Sequence, residues 1–267
     1  MLRNAKDLHG FTIRATDGEI GTVDQFYFDD ETWAIRYLTV ETGGWLGGRI
    51  VLISPISVSG PPDWLSKRLD VSLTKKQVEN SPDVDTRQPV SRQHEIEYLG
   101  YYDYPFYWGG SNLWGPEPYP AGLALGMSPL PKAVTARAGE NADDSHLRNA
   151  QEVTGYYIEA SDGEIGHLDG FIIDDETWAI RYVEVATRNW WPGKKVLVSP
   201  AWIELMSWED SKVYVGLSRK AIQGAPEYTG SLPITRQYEA SLYTHYGRPP
   251  YWLPHAKPRP SLSLTGV

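Results

Sequence analysis

Two acidic triplets, Asp29-Asp30-Glu31 and Asp174-Asp175-Glu176, are the densest oxygen-donor sets in this chain of 267 residues. Carboxylates grouped in this way could hold a hard cation such as Ca2+, which takes oxygen ligands. The spacing argues for another role, because no Asp-x-Asp-x-Asp-Gly run leads to a closing Glu. A second candidate is Gly43-Gly44-Trp45-Leu46-Gly47-Gly48-Arg49, which has the glycines of a phosphate loop. A P-loop continues with Gly-Lys-Ser/Thr into a helix. Here Gly48 leads to Arg49 and a strand-like run, so a hairpin connection accounts for the glycines. The six histidines show no HxxxH or HxH spacing, and none is assigned a ligand role. There is no cysteine, which removes thiolate nucleophiles, disulfides and cysteine-bound metals together. No GxSxG elbow appears. These residues carry no cofactor expectation and no catalytic one, and the chain is expected not to be an enzyme.

The acidic triplets belong to a longer block. DDETWAIRY occurs at Asp29–Tyr37 and again at Asp174–Tyr182. LRNA recurs at Leu2–Ala5 and Leu147–Ala150, DGEIG at Asp17–Gly21 and Asp162–Gly166, and SP at Ser54-Pro55 and Ser199-Pro200, all at an offset of 145. From Leu73/Leu217 the offset is 144, so one residue is missing from the second copy between Pro200 and Leu217. The match ends at Tyr107-Trp108 and Tyr251-Trp252. A whole domain has been duplicated: residues 1–108 form one repeat with an aromatic arm and 147–252 the other. A Pro/Gly-rich linker at 109–146 joins them, and a tail at 253–267 follows. The linker holds six Gly and five Pro and reads as part polyproline II, part flexible. Its Leu113, Trp114, Leu123, Leu125, Met127 and Leu130 are more apolar than a solvated linker needs.

Within a repeat the signals are strands and turns. Asp-Gly between strand-like runs marks a tight turn. In EIGTVDQFYF the apolar alternation breaks between Val23 and Phe26, and the second copy has Gly170 in that gap, which predicts a β-bulge. DDET then closes a turn with side-chain oxygens. WAIRY opens the return strand, with Trp33, Ile35 and Tyr37 on one face and apolar residues on the other as well, so that strand should be covered on both sides. Turn chemistry accounts for the nine-residue block unaided, and the block reads as scaffold. Thr74 and Ser218 are placed to cap short helices, with Gln77 completing a capping box in the first copy only. Five or six strands and one short helix predict a mainly β fold, a small closed barrel in each repeat.

The DG turn, the acidic tip before Trp33 and Trp178, the RYL or RYV strand and the VLISP or VLVSP strand end resemble the PRC-barrel domain. That family takes its name from the cytoplasmic barrel of the photosynthetic reaction-centre H subunit and includes the C-terminal domain of the ribosome maturation factor RimM. The similarity covers roughly residues 2–80 and 147–224. The resemblance implies two such barrels in tandem, as in stand-alone bacterial members, and a protein-binding or self-assembly role, homo-oligomeric or with another protein. An alternative is a small-molecule or ion sensor using a cleft between the barrels. A ribosome-associated role follows only by analogy.

The net charge of −9 is spread without a basic segment, so nucleic acid is not an expected partner. The N-terminus lacks the apolar run of a signal peptide, and no stretch reaches the roughly 18 apolar residues of a membrane span; a cytoplasmic location is expected. Seventeen Tyr and eleven Trp against five Phe suit surfaces that are half wet. The tyrosines concentrate in the arms, Pro89–Trp108 and Leu232–Trp252, each of which ends on a Trp. Ser91 and Thr235 would cap a helix in each arm, and Ile96, Leu99 and Tyr102 would line one face of the first. Each arm either wraps its own barrel or docks on the sister copy or another chain. On the interface reading, Tyr101, Tyr102, Tyr104, Phe106, Tyr107, Trp108, Tyr243, Tyr246, Tyr251 and Trp252 are the interaction residues.

Overall fold

A computed structural model describes residues 1–84, 90–108, 110–125, 146–187, 194–230 and 233–253. Pro89 and Leu232 of the arms, Gly109 with most of the linker (126–145), the 188–193 part of the second-repeat hairpin connection and the tail from Pro254 lie outside the described residues.

The chain divides into two compact units, and the division does not follow the repeats. Unit 1 comprises Met1, Lys6–Gln151 and Asp174–Ala179; unit 2 comprises Leu2–Ala5, Glu152–Ile173 and Ile180–Val267. The first strand, β1 (Leu2–Asn4), therefore belongs to unit 2.

Unit 1 is a mixed sheet of β2 (Thr12–Ala15), β3 (Gly18–Asp29), β4 (Ala34–Glu41), β5 (Ile50–Ile53), β6 (Arg68–Asp70) and β7 (Leu147–Asn149). Its order is β5-β4-β3-β2-β6, with β7 paired to β3. β2 and β6 run parallel; the other pairs are antiparallel. Unit 2 repeats this plan with β8 (Tyr157–Ala160), β9 (Gly163–Asp174), β10 (Ile180–Ala186), β11 (Lys195–Val198), β12 (Ile203–Ser207) and β13 (Lys212–Val215). The order there is β11-β10-β9-β8-β13-β12, with β1 paired to β9. Neither sheet closes on itself among the described residues.

Local chemistry explains the strands. Asp17-Gly18 and Asp162-Gly163 make the turns, with Gly18 at φ 143° and Gly163 at φ 122°. The last glycine of each DGEIG allows a close approach instead. A Cβ on Gly21 would stand 2.0 Å from the Glu41 carbonyl oxygen, and one on Gly166 2.1 Å from that of Ala186. No larger residue fits where the two strands come so near each other. The bulge lies where the alternation breaks, with Val23 opposite Val40 and then Phe26 opposite Leu38. The freed Gln25 N–H is met by Thr39 Oγ1 at 2.8 Å, which avoids an unpaired backbone donor. In unit 2 the same shift falls between Leu168 and Gly170.

β4 is buried from Ala34 through Val40, covered on both faces as its sequence requires. It starts one residue later than WAIRY suggests. Trp33 is not a strand residue: it sits in the turn at φ 56°, and Trp178 does the same at φ 59°. A bulky side chain in the left-handed region costs about 1–3 kcal/mol. Burial of the Trp33 ring, stacked on Phe28 at 5.3 Å, offsets that cost.

Four helices have the expected caps. Thr74 and Gln77 form a reciprocal capping box on α1 (Lys75–Glu79), and Ser91 caps α2 (Arg92–Tyr101). The described linker adds α3 (Pro120–Leu125), and α4 (Ala150–Val153) follows β7. In unit 2, Ser218 caps α5 (Arg219–Gly224) and Thr235 caps α6 (Arg236–Tyr246). The buried face of α2 differs from the one expected. Glu95, Tyr98 and Leu99 are buried, as is Tyr102 after them, while Ile96 is only half-buried. The spacing i, i+3, i+4, i+7 follows the 3.6-residue turn, and it places a carboxylate where an apolar side chain was expected. The described linker is packed rather than solvated: Trp114 and Leu123 are buried and α3 lies against Pro55–Ser57.

Candidate functional site

The acidic tip of repeat 1 is occupied by its own chain. Asp29 Oδ1 accepts the N–H groups of Glu31 and Thr32, each at 3.0 Å, and the Asp29 carbonyl accepts that of Trp33 at 2.8 Å. Asp30 accepts from Arg148 Nε at 2.8 Å. In the second copy the Asp174 carbonyl accepts Trp178 N–H at 2.7 Å and Asp175 Oδ2 accepts Trp64 Nε1 at 2.9 Å. Among the described residues no three His, Asp or Glu side chains are grouped to hold a metal ion.

The strongest concentration of polar chemistry lies behind the tip, in the core of unit 1. Arg36, on β4, is 1% exposed. Its Nη2 donates to Asp29 Oδ2 at 3.2 Å and to Thr32 Oγ1 at 2.8 Å. Its guanidinium lies over two steeply inclined rings, 3.9 Å from the centre of Tyr107 and 4.6 Å from that of Trp114. Nε and Nη1 of Arg36 are buried without a hydrogen bond, and the faces of the two rings meet the cation. Trp114 is fixed in turn, its Nε1 donating to the Thr177 carbonyl at 2.8 Å.

A second carboxylate, Glu95 on α2, faces the same space. It accepts from the hydroxyls of Tyr107 and, at 3.3 Å, Tyr37, and pairs with Arg92 Nη1 at 2.9 Å. Arg92 also donates to the Tyr107 hydroxyl at 3.3 Å and covers Trp108 at 4.2 Å. The two acids are driven apart. Desolvation lifts Glu95 to about 7, against the opposing pull of Arg92. Asp29 is also fully desolvated, yet Arg36 and the hydrogen bonds from Thr32 hold it below its ordinary value. Burial together with the Glu95 charge pushes the Tyr37 and Tyr107 phenols up, so both hydroxyls stay protonated as donors.

Unit 2 holds the same constellation in its own residues. Glu239 on α6 accepts from Tyr182 at 2.8 Å and Tyr251 at 3.1 Å and pairs with Arg236 at 3.0 Å. Arg236 donates to the Tyr251 hydroxyl at 3.3 Å and covers Trp252 at 4.2 Å. Arg181 lies 4.4 Å from the centre of Tyr251. The sets Arg36, Tyr37, Arg92, Glu95, Tyr107, Trp108 and Arg181, Tyr182, Arg236, Glu239, Tyr251, Trp252 match one for one. The arrangement clamps an arm to its sheet: the carboxylate gathers a strand tyrosine and an arm tyrosine, and the arginines close it.

The aromatic arm residues are placed individually. Tyr102, Phe106 and Tyr107 are buried in unit 1 and Tyr104 and Trp108 half-buried, while Tyr101 is 41% exposed, its hydroxyl donating to the Gln77 carbonyl. In unit 2, Tyr243 and Tyr246 are buried against Trp202 at 5.2 and 4.7 Å, and Tyr251 and Trp252 are half-buried. The sheet and helix of the same unit provide that cover. Sequence reasoning missed Arg36, Arg92, Glu95 and Trp114, and Arg181, Arg236 and Glu239. The signal was present: Arg-Gln-x-Glu opens both arm helices, and Arg-Tyr stands in both central strands.

The PRC-barrel domain model matches residues 2–66. The chain thus contains a PRC-barrel domain at its N-terminus. No curated protein matches the chain. The PRC-barrel match starts at Leu2, so β1 counts as the first element of that domain by sequence, although its backbone pairs in unit 2. The match contains the tip, Arg36 and Tyr37. Arg92, Glu95 and Tyr107, which complete the clamp, lie beyond it.

Proposed function

We propose that the chain is a non-catalytic assembly module, two PRC-type barrels in tandem that bind a protein partner or further copies of the chain. One observation carries this reading: the repeats trade parts. β7, the first strand of repeat 2, pairs with β3 in unit 1, and β1, the first strand of repeat 1, pairs with β9 in unit 2. The second copy of the tip, Asp174–Ala179, is also built into unit 1, where the Trp178 carbonyl accepts Ile35 N–H at 2.8 Å. A sheet built by strand addition recognises a partner through main-chain hydrogen bonds. The duplicated clamp uses its polar atoms to fasten each arm to its own sheet. The interface role of the ten arm aromatics then falls to the exposed and half-buried ones, Tyr101, Tyr104, Trp108, Tyr251 and Trp252.

Light scattering on the full chain across a wide concentration range, with recovery of complexes from native extract, tests the proposal. A mass above that of one chain, or a stoichiometric protein complex, is expected. A single-chain mass throughout with no stoichiometric partner would overturn it.

A further inference from the structure

We propose that the strand-acceptor edge of β3 takes the LRNA strand of a second copy of this chain, so that two chains assemble by reciprocal exchange of β7. The inference rests on the assembly reading and names its partner and its surface.

The donors are interchangeable by sequence. Leu2–Ala5 and Leu147–Ala150 have the same four residues, and each pairs in the unit that holds most of the other repeat. The acceptor on β3 reads β7 in a defined register, Asp29 opposite Leu147, Phe28 opposite Arg148 and Tyr27 opposite Asn149. Beyond the ladder, Arg148 Nε pairs with Asp30 Oδ2 at 2.8 Å, His146 Nδ1 stands 3.8 Å from Asp30 and 3.6 Å from Glu31, and Asp30 N–H donates to the His146 carbonyl at 3.0 Å. Leu147 is buried there. None of these contacts depends on which chain supplies the strand. The PRC-barrel match begins at Leu2, so a first strand is part of the domain, and the sheet of unit 1 obtains it from residues 147–149. The boundary between the units falls just after β7, with Gln151 in unit 1 and Glu152 in unit 2. Seating within one chain is favoured by effective concentration, on the order of millimolar for a tethered segment. A second copy at high concentration, or a broken contact within the chain, shifts the strand to the neighbour.

A charge swap tests this with the full chain. Asp30→Arg and Arg148→Asp each set like charges against each other within one chain. Mixed in equal amounts and passed through mild denaturant, the two variants regain the opposite-charge pair only by trading β7. The expected product is a heterodimer of twice the single-chain mass, seen by light scattering and native mass spectrometry, with the melting temperature restored. The double variant, with the opposite-charge pair restored in reverse, should assemble and melt as the natural protein does. A second measurement needs no variant protein. A synthetic peptide of residues 146–153 should dissociate the self-association of the natural chain, and the same peptide with Arg148→Asp should not. A mixture that stays at single-chain mass while the double variant folds would overturn the exchange. If the natural chain self-associates and neither peptide nor variants change it, assembly stands and exchange falls. A single-chain mass in every arm removes both.

Discussion

Glu95→Gln should flatten the dependence of stability on pH. Glu95 is fully buried, and desolvation raises it from an ordinary 4.5 to about 7. Between those two values the unfolded chain has released a proton that the folded chain still holds, so stability falls as pH rises through the interval. At about 1.4 kcal/mol per pH unit, the group withdraws on the order of 3 kcal/mol between pH 4.5 and 8. The glutamine keeps an oxygen for the Tyr37 and Tyr107 hydroxyls and cannot ionise. Arg92 retains its contact with Trp108, and its attraction for the ionised Glu95 is already contained in the value of about 7.

The assay is urea unfolding at several pH values from about 4.5 to about 8, followed by tryptophan fluorescence, with Trp108 and Trp114 close to the site. Glu31 is also raised by burial and contributes to the slope in both proteins, so the informative quantity is the difference between natural chain and variant. That difference should change by about 3 kcal/mol across the range, the variant gaining as pH rises. A flat difference would mean that Glu95 is ionised in the folded chain without cost, and the account of the clamp would fail.

Two further outcomes follow from the same geometry. Arg36→Met leaves Asp29 buried without its counter-charge and should cost about 3–5 kcal/mol; Arg36→Lys should recover little of it, since an ammonium lacks the planar fork that meets the Tyr107 and Trp114 faces while donating to Asp29 and Thr32, and urea unfolding of the two variants checks both. A chain ending at Gly230 lacks the buried Leu242, Tyr243 and Tyr246, each worth roughly 1.5–3 kcal/mol. It should lose the unit 2 melting transition and keep that of unit 1, and an unchanged melt would show that the arm is a passive tail.

What was legible in the sequence was local. The DG turns, the bulge after Val23 and the helix caps at Thr74, Ser91, Ser218 and Thr235 depend on residues a few positions apart. The clamp was not legible, because Tyr37 and Glu95 are 58 positions apart, and an acid on a helix reads as a solvated face until its partners are known. Trp114 was noticed only as an apolar residue in a linker, though Arg36 needs its ring. β12 was missed for another reason. Its counterpart in repeat 1 runs through Gly60-Pro61-Pro62, which cannot form a regular ladder; only the isolated bridges Val58–Val71 and Asp63–Arg68 remain there. The one-residue deletion in repeat 2 falls in this stretch, where β12 and β13 pair as a hairpin.

The repeated DDETWAIRY block works as a set of fastenings. In the first copy Asp29 closes the turn and anchors Arg36, and Asp30 fastens an incoming strand. Thr32 accepts from Arg36, Trp33 fills the corner beside Phe28, and Tyr37 reaches the arm through Glu95. Each of these bonds joins pieces of a sheet, a strand or a helix. The second copy uses Tyr182 in the same way toward Glu239, while its Asp175 and Thr177 hold Trp64 and Trp114 in unit 1. An active site duplicated in this manner would aim its polar groups at a shared empty space. Here they are aimed at backbone, rings and counter-charges, which is the chemistry of a joint. The two copies are alike because each joint must receive the same strand and hold the same kind of arm.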